Sequence, residues 1–498
     1  MNGGTPVYPN LHFQGRLYPA DHVAAETARV CAGLAALGVT DGMSVAVMLR
    51  NSPACVTAVL ACRQSGLYVV PLNWHFKAAE AGHVLADSGA HVLFVHHDLL
   101  PQIAAGIPAN VKVIPVDESG DTSPWSSFGV GAPPAPAYTG PPRGMVPYTS
   151  GTTGKPKGVR RLPAKPEQRP LAEALMATVF GVTPASRVLL SAPVYHSAPM
   201  SYLMNACAHG AELVLESSFD AKRTLQLIEQ HRITHAYLVP TMYQRLLRHR
   251  AEGGELFDTS SIVQVGSTGS PCAPDIKRAM IEWWGPVITE AYASSETGYI
   301  TFVDSKTWLE RPGTAGRPVN GAGLRILDDD GRELPTGQTG LIYGRQPAYP
   351  DFTYINNDGA RKSLERDGLF TLGDMGYVDA EGYLFINDRK SDMVISGGVN
   401  IYPAEIESVL QTMPGVTDCA VFGIPDAEFG EALGAAVQPA PGVSLDADAV
   451  KAFLRERIAN YKVPRSIEFH AALPREDTGK IFKRLLREPH WRDQRRSI

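Results

Sequence analysis

The chain has 498 residues, of which 44% are hydrophobic and 19% charged, a balance that excludes an intrinsically disordered protein and predicts about three domains or subdomains. Its 39 prolines and 47 glycines are spread along the sequence, which argues against collagen, low-complexity sequence and coiled coil. The 46 basic and 51 acidic side chains give a formal charge of −5, without the basic surplus that neutralises a phosphate backbone. We therefore expect a soluble globular protein that does not bind nucleic acid.

The cysteines and the most apolar stretch bear on the cellular compartment. The six cysteines form no CxxC pair, so they predict neither a disulfide framework nor a cysteine zinc site. The first twenty residues lack a basic region followed by an apolar core, and the apolar stretch 56–72 is interrupted by Arg63 and Gly66. We expect a cytoplasmic protein without integral membrane association.

Helix-like and strand-like segments alternate in the first hundred residues, and each is bounded by Pro, Gly or Asp. This alternation is typical of a parallel sheet covered by helices. Asp21 is the predicted N-cap of the first helix, and Gly38 is its predicted C-terminal stop. The predicted segments are helices at 21–37, 53–65 and 77–88 and strands at 44–49, 67–71 and 91–95.

The same alternation returns after a Pro- and Gly-rich connection at 132–143. Strands are predicted at 187–192, 212–216, 234–239, 262–267 and 287–291, with amphipathic helices at 220–230 and 241–249. The sequence thus predicts two doubly wound α/β subdomains, at about 1–140 and 141–320.

The pattern of predicted secondary structure changes in the final third of the chain. Short β-like runs with Gly and Asp turns, at 323–327, 340–343 and 369–386, predict a small β subdomain at about 321–388. A helix at 403–412, strands at 417–424 and 434–438 and a helix at 446–458 then predict a separate α+β domain.

A loop rich in glycine and hydroxyl groups follows a predicted strand, with the sequence YTSGTTGKPKGV at 148–159. Glycines let backbone N–H groups approach phosphate oxygens, hydroxyls donate further hydrogen bonds, and lysine supplies compensating charge. The loop differs from a Walker A motif, because only two residues separate Gly151 from Gly154 and Pro156 follows Lys155. It predicts a polyphosphate site in a protein other than a P-loop NTPase.

This loop resembles the phosphate-binding signature of the adenylate-forming superfamily, which includes acyl-CoA synthetases, aryl-CoA ligases, luciferases and the adenylation domains of peptide synthetases. Other family signatures follow in order, so the resemblance covers about Gly15 to Leu486. It implies an N-terminal AMP-binding domain at 1–388, a hinge at 389–391 and a mobile C-terminal domain at 392–498. The loop residues that it assigns to ATP are Thr149, Ser150, Gly151, Thr152, Thr153, Gly154 and Lys155.

The segment AYASSETG at 291–298 resembles the family motif that ends in Thr-Glu. The resemblance implies that Glu296 binds Mg²⁺, that Ser295 contacts the α-phosphate and that Tyr292 stacks near adenine. A carboxylate suits Mg²⁺, a hard cation that bridges phosphates. Ala293 and Ser295 stand where the family usually has Gly and Thr, and both changes keep the side chain small.

Two further segments resemble the ribose-binding and hinge motifs. Asp374, at the end of FTLGD, would accept hydrogen bonds from both ribose hydroxyls, as a carboxylate can. Arg389, in DRKSD, would also reach the ribose, and Ser391 occupies the pivot position, where the family often has Asp or Lys.

The C-terminal domain carries the remaining signatures. Gly397 and Gly398, in SGGVNIYP, resemble the strand end that the family rotates into the active site for its second half-reaction. Lys480, at the end of LPREDTGK, matches the catalytic lysine of the family.

The acyl side of the site is indicated by APVYHSAP at 192–199 and by Gly269-Ser270-Pro271. The resemblance implies that His196 lines the entrance between the carboxylate and thiol channels. It also implies that Gly269 and Ser270 lie at the boundary of the adenine and acyl sites. The candidate wall residues are Tyr195, His196, Tyr202, Gly269, Ala293, Tyr299 and Ile300.

The resemblance as a whole implies an ATP-dependent carboxylate–CoA ligase. A carboxylate would attack the α-phosphate of ATP to give acyl-AMP and pyrophosphate, and CoA would then attack the acyl-AMP to give acyl-CoA and AMP. The aromatic and small wall residues favour an apolar acid, of medium or long chain, arylalkanoate or polycyclic. The expected partners are therefore the acid, ATP and CoA, with Mg²⁺ as cofactor, and a homodimer stays a hypothesis.

Two alternatives stay open. An adenylation protein could load a carrier protein, although 193–199 lacks the aspartate that amino-acid activators commonly place there. A catalytically silent nucleotide-binding protein could also retain these residues. The basic stretch 480–498, with seven Lys and Arg against two Asp and Glu, is interpreted as a solvated terminal helix rather than a membrane or CoA contact.

Overall fold

The computed structural model describes residues 6–118, 124–149, 156–475 and 481–492. Its first third contains a four-stranded parallel sheet in the order β4-β3-β5-β6, which confirms the predicted alternation. The strands are β1 (Leu11–Phe13), β2 (Arg16–Tyr18), β3 (Ser44–Met48), β4 (Tyr68–Pro71), β5 (Ala90–His96) and β6 (Lys112–Val116). The helices are α1 (Ala20–Ala36), α2 (Pro53–Gln64), α3 (Ala78–Asp87), α4 (Leu100–Ile103) and α5 (Pro124–Ser127).

The N-cap of α1 differs from the prediction. Pro19 occupies this position with extended backbone, no side chain caps the helix, and Asp21 lies in the first turn. There its carboxylate is still favourable, because it faces the positive end of the helix dipole. Gly38 follows the last turn with φ +73°, a conformation in which glycine avoids strain.

The middle third forms a nine-stranded sheet in the order β15-β14-β13-β12-β11-β9-β10-β1-β2. Besides β1 and β2, its strands are β9 (Arg187–Leu190), β10 (Glu212–Leu215), β11 (His235–Tyr237), β12 (Gln264–Ser267), β13 (Ile288–Ser294), β14 (Gly298–Val303) and β15 (Arg317–Pro318). The strands β7 (Tyr148–Thr149) and β8 (Lys157–Arg161) form a hairpin outside this sheet. The helices are α6 (Gln168–Phe180), α7 (Ser197–His209), α8 (Ala221–Gln230), α9 (Pro240–Ala251), α10 (Pro274–Trp284) and α11 (Ser305–Glu310).

The first two strands belong to this second sheet. β1 runs parallel to β10, with Leu11 paired to Leu213, and β2 pairs antiparallel with β1 at the sheet edge. The predicted first subdomain covered the whole stretch 1–140. The short strands β1 and β2 are therefore part of the neighbouring sheet instead.

Asn51, after β3, joins the two sheets. Its side-chain amide donates to the carbonyl oxygens of Ala192 and Glu216 at 3.0 and 3.1 Å, and its Oδ1 accepts from the backbone N–H of Val194 at 3.1 Å. The largest apolar cluster also includes residues of α1, α2 and the second sheet. The two α/β units therefore share one core.

The remaining elements form a β subdomain and the C-terminal domain, which confirms the predicted fold class. The β subdomain contains β16 (Gly323–Leu327), β17 (Gly340–Arg345), β18 (Phe352–Tyr354), α12 (Asp358–Lys362), β19 (Glu365–Arg366), β20 (Leu369–Val378) and β21 (Leu384–Arg389). The C-terminal domain contains β22 (Val394–Ser396), β23 (Val399–Ile401), α13 (Pro403–Leu410), β24 (Val416–Asp426), β25 (Gly430–Pro439), α14 (Ala447–Arg455), β26 (Ser466–Phe469) and α15 (Lys483–Trp491). In the described part of the chain, no helix has the length and apolar character needed to cross a bilayer.

Candidate active site

The β7–β8 hairpin, whose strands precede and follow the glycine-rich loop, lies beside the turn that follows β13. Tyr148 pairs with Gly158 and Thr149 with Lys157. A Cβ at position 158 would lie 2.7 Å from the Tyr148 ring, so the hairpin requires glycine there. The Thr149 hydroxyl lies 3.4 Å from Glu296 Oε1, at the limit of a hydrogen bond. Ser150, Gly151, Thr152, Thr153, Gly154 and Lys155 lie outside the described residues.

Glu296 is a buried carboxylate, 6% exposed, in the turn between β13 and β14. The Tyr354 hydroxyl donates to its Oε1 at 2.9 Å. Burial and the adjacent Glu296 carboxylate raise the pKa of Tyr354, so this phenol stays protonated and keeps donating. Among the described residues both hydrogen bonds end on Oε1, which leaves Oε2 as a hard oxygen ligand. This donor set, beside the Thr149 hydroxyl, fits Mg²⁺.

Arg161, on β8, holds the backbone of the same turn. Its guanidinium donates to the carbonyl oxygens of Ser295 and Glu296 at 2.6 and 3.0 Å and to that of Pro350 at 2.8 Å. It also lies 4.6 Å from the Tyr349 ring centroid, in a cation–π contact. Burial lowers the pKa of Arg161, while Tyr349 and Glu296 oppose that shift. The arginine therefore fixes the direction in which the Glu296 turn points.

Ser295 connects the turn to the predicted gate. Its hydroxyl donates to Ser197 Oγ at 3.1 Å, and Ser197 is the first residue of α7, directly after the N-cap His196. The His196 ring packs 4.3 Å from that of Tyr195, and the Tyr195 ring meets that of Trp74 edge-on at 4.8 Å. The structure thus brings Ser295, Tyr195 and His196 to one place.

Tyr292, Asp374 and Arg389 also meet. Asp374 is buried, and its Oδ2 accepts from the Tyr292 hydroxyl at 2.6 Å while its Oδ1 lies 3.3 Å from Arg389 Nε. Asp374 on β20 is the register partner of Arg389 on β21. Burial and the Asp374 carboxylate raise the pKa of Tyr292. Tyr292 lies in β13, and Glu296 lies four residues later in the turn that follows this strand. The carboxylates of Asp374 and Glu296 therefore flank the end of β13.

The wall candidates separate into two groups. Tyr202 and Tyr299 are buried and pack against Phe180, with ring centroids 5.1 and 5.7 Å apart. Ile300 lies on the opposite face of β14, where a Cβ on Gly344 would meet its side chain at 3.0 Å. Ala293 is the register partner of Tyr299 across a β-bulge.

A narrow gap lies beside Tyr299, with no room for a water molecule. Gly269 and Ser270 follow β12 and do not line it; Gly269 has φ +98° and is exposed. The gap's walls are aromatic and small, with one acidic residue: Val179, Phe180, Tyr237, Gly266, Ser267, Thr268, Thr289, Glu290, Ala291, Tyr299 and Phe302.

The hinge segment contacts the C-terminal helix. Arg487 of α15 donates to the carbonyl oxygen of Ser391 at 3.2 Å, and Asp388 accepts from the backbone N–H of Ala404 at 2.8 Å. Lys483, also on α15, lies 2.8 Å from Glu407. Lys480 itself lies outside the described residues.

Gly397 and Gly398 form the exposed turn between β22 and β23, with φ of +57° and +81°. Gly397 borders a cavity of about 550 Å³ in the C-terminal domain, whose lining includes three basic side chains, Lys451, Arg455 and Arg465. The Arg465 guanidinium lies 4.9 Å from the centroid of the Phe429 ring, which also lines the cavity.

Four residues of this site were not among the predicted site residues: Tyr354, Arg161, Ser197 and Phe180. Tyr354 is 58 residues from Glu296, and Arg161 is 134 residues from Ser295, so no local spacing links these pairs. Arg161 had one available signal, because it lies on the strand that leaves the glycine-rich loop.

Comparison with known proteins agrees with this arrangement. The family model for the AMP-binding enzyme matches residues 4–349, and that for the AMP-binding enzyme C-terminal domain matches residues 405–480. A feruloyl-CoA synthase from Amycolatopsis sp. is 34% identical over 93% of this chain and 91% of that protein. An indoleacetate–CoA ligase from Aromatoleum aromaticum is 35% identical over 97% and 95%.

A solved structure has the same fold over nearly the whole chain. The o-succinylbenzoate coenzyme A synthetase from Bacillus subtilis, in complex with ATP and a magnesium ion, superposes with a TM-score of 0.82 at 27% identity and covers 97% of both chains. Together with the order of the motifs and the meeting of their side chains, these matches establish that the chain belongs to the AMP-binding enzyme family, within the adenylate-forming superfamily.

Proposed function

We propose that this protein is an ATP-dependent carboxylate–CoA ligase that activates an apolar acid carrying an aromatic ring. The observation that carries the proposal is the pair of buried carboxylates at the end of β13. Asp374 is paired with Tyr292 and Arg389, and Glu296 lies beside Thr149 at the start of the glycine-rich loop. This pairing suits a nucleoside on one side and a metal-bound polyphosphate on the other.

In the first half-reaction, two anions must meet when the carboxylate attacks the α-phosphate. Asp374 and Arg389 bind the ribose, Tyr292 packs near adenine, and Ser295 donates to the α-phosphate. Glu296 would hold Mg²⁺, which offsets charge on the phosphates. Lys480 and the loop residues 149–155 supply further positive charge and hydrogen-bond donors where charge concentrates in the transition state.

In the second half-reaction, the CoA thiolate attacks the acyl-AMP. The C-terminal domain pivots at Ser391, withdraws Lys480 and presents the Gly397–Gly398 turn, while His196 lines the channel entrance. The basic cavity beside this turn supports a polyanionic acceptor, because Lys451, Arg455 and Arg465 can pair with CoA phosphates.

The side chains packed around the narrow gap beside Tyr299 support the choice of acid. Phe180, Tyr237 and Tyr299 present aromatic faces to it, and aromatic rings pack favourably against one another. The gap also contains Glu290, whose carboxylate lies 2.8 Å from Lys277. None of the described residues that line the gap is basic, so no side chain there would hold a second carboxylate, and we expect monocarboxylic acids.

The test is an incubation with Mg-ATP, CoA and a panel of single acids, followed by mass spectrometry of thioesters and AMP. The panel contains indoleacetate, ferulate, decanoate, a polycyclic propionate and o-succinylbenzoate. We expect acyl-CoA and equal AMP, with the aromatic monocarboxylates favoured at least about tenfold in kcat/KM. Acyl-AMP that accumulates without thioester would instead support a carrier-loading protein, and ATP binding without product would support a silent nucleotide-binding protein.

The role of Lys480 is tested by separating the half-reactions. We expect Lys480→Ala to abolish most acyl-AMP formation and to spare thioester formation from preformed acyl-AMP. Equal loss in both assays would contradict this role. Lys462→Ala is the matched control, because Lys462 pairs with Glu405 at 2.6 Å on the same domain.

A further inference from the structure

A group of three possible metal ligands lies at the edge of the nine-stranded sheet, apart from the proposed active site. His12 comes from β1, Glu212 from the start of β10, and His231 follows the last residue of α8. The candidate ligand atoms of these residues all lie within 4.8 Å of one another. Within residues 6–118, 124–149, 156–475 and 481–492, this is the one group of three or more His, Cys, Asp or Glu side chains with that spacing.

Strand pairing explains why His12 and Glu212 meet. His12 is the register partner of Val214 on the parallel strand β10. Side chains two residues apart on a strand share a face, so Glu212 lies on the same face as Val214 and His12. His12 Nε2 is 2.6 Å from Glu212 Oε1.

His231 completes the group from the neighbouring helix. It is the C-cap of α8, where its backbone N–H donates to Leu227, and its ring lies 4.6 Å from that of His12 with a 58° tilt. The three side chains are partly buried rather than fully solvated, which limits the freedom that they would lose on binding an ion.

We propose that His12, Glu212 and His231 form a binding site for a divalent transition-metal ion of the Zn²⁺ type. Two imidazole nitrogens and one carboxylate oxygen are a known zinc ligand set, and the partial exposure leaves the fourth position to water. The set is poor for Mg²⁺, which prefers oxygen ligands throughout, so the magnesium of the catalysed reaction would not occupy it.

The consequence of binding is a cross-link between chain segments that are far apart in sequence. An ion at this site would connect β1, β10 and the end of α8, and it would hold the terminal strands β1 and β2 on the sheet. An ion that binds the folded protein alone raises its stability with ion concentration. Catalysis with Mg-ATP would not depend on it.

The experiment titrates Zn²⁺ into the nucleotide-free full chain by calorimetry and follows Co²⁺ by visible absorption. We expect one ion per chain and a weakening of about tenfold or more in each of His12→Gln, Glu212→Gln and His231→Gln. The unfolding midpoint of the wild type should rise with Zn²⁺ and that of the three ligand variants should not. His249→Gln, on the exposed end of α9, is the matched control and should bind as the wild type.

Absence of saturable binding in the wild type would overturn the proposal. Equal affinity in the wild type and all three ligand variants would also overturn it, because the ion would then lie elsewhere. Each variant should keep the wild-type rate of acyl-CoA formation with Mg-ATP, so failure of this proposal is distinguishable from failure of the proposed function.

Discussion

The Tyr354 hydroxyl donates a hydrogen bond to the Glu296 carboxylate across 2.9 Å, which joins β18 to the turn after β13. Glu296 is the residue proposed to hold Mg²⁺, and the hydrogen bond from Tyr354 orients its carboxylate. β18 reaches this position because it pairs with β8, the strand that leaves the glycine-rich loop. The β7–β8 hairpin, β18 and the turn that carries Glu296 are therefore linked by hydrogen bonds.

Tyr354→Phe should impair adenylation without unfolding the protein. The substitution keeps the ring and removes one hydrogen bond to a charged group, which contributes about 1.5–3 kcal/mol. We expect a rise of about tenfold in the Mg²⁺ concentration that gives half-maximal acyl-AMP formation. Tyr377→Phe, whose ring stacks on Phe385 at 5.1 Å, is the control and should behave as the wild type. An unchanged Mg²⁺ dependence in Tyr354→Phe would show that this phenol does not orient the site.

Arg161→Lys should lower kcat/KM for adenylation even though the positive charge is kept. Lysine lacks the planar fork that reaches the Ser295 and Glu296 carbonyl oxygens together, so the turn would shift. Small displacements of reacting groups reduce rates by about tenfold to a hundredfold. Arg160→Lys is the matched control, because Arg160 donates instead to Gly42 at 3.0 Å. Equal effects of the two substitutions on adenylation would refute the positioning role.

Lys483→Met should destabilise the C-terminal domain, and Glu407→Leu should restore part of the loss. Burial raises the pKa of Glu407, and the positive charge of Lys483 opposes this increase. Removing the lysine alone leaves a partly buried carboxylate without its 2.8 Å partner, at a cost of about 1–3 kcal/mol. The double variant removes both members of the Lys483–Glu407 pair, so Glu407 no longer leaves a buried charge without its partner. Denaturant unfolding of both variants checks this, and a double variant no more stable than Lys483→Met would contradict the account.

Glu216 should make the stability of the protein depend on pH. Burial raises the pKa of Glu216 above its ordinary value of 4.5. The folded state then holds a proton that the unfolded state has released, so the contribution of this group is largest below about pH 4.5 and is lost as the pH rises through the folded-state pKa.

Glu216→Gln removes this titration. Glu216 Oε1 accepts a hydrogen bond from the backbone N–H of Asp220 at 3.0 Å, and the glutamine oxygen can still accept it. The stability of the wild type relative to this variant should therefore fall as the pH rises above about 4.5, as measured by denaturant midpoints. Asp258→Asn, at an exposed position, controls for general charge effects. A difference that does not change with pH would show that Glu216 stays ionised throughout.

The sequence alone determined the order of the elements and the chemistry of the site. Apolar periodicity and turn residues located the parallel strands β3, β5 and β9 within one or two residues, because buried parallel strands are short apolar runs between breakers. The motif order identified the family, and the residues Tyr292, Asp374 and Arg389 do lie together in the fold.

Only the tertiary structure decided which distant segments meet. The pairing of Leu11 with Leu213, the approach of Arg161 to Ser295 and the bond from Tyr354 to Glu296 join residues far apart in the chain. Periodicity within a segment does not indicate which other segment it pairs with. Strand register decides which face of β14 points to the gap, and therefore why Tyr299 rather than Ile300 lines it. These contacts follow from the packing of whole sheets, and they orient the site residues that were predicted from the sequence.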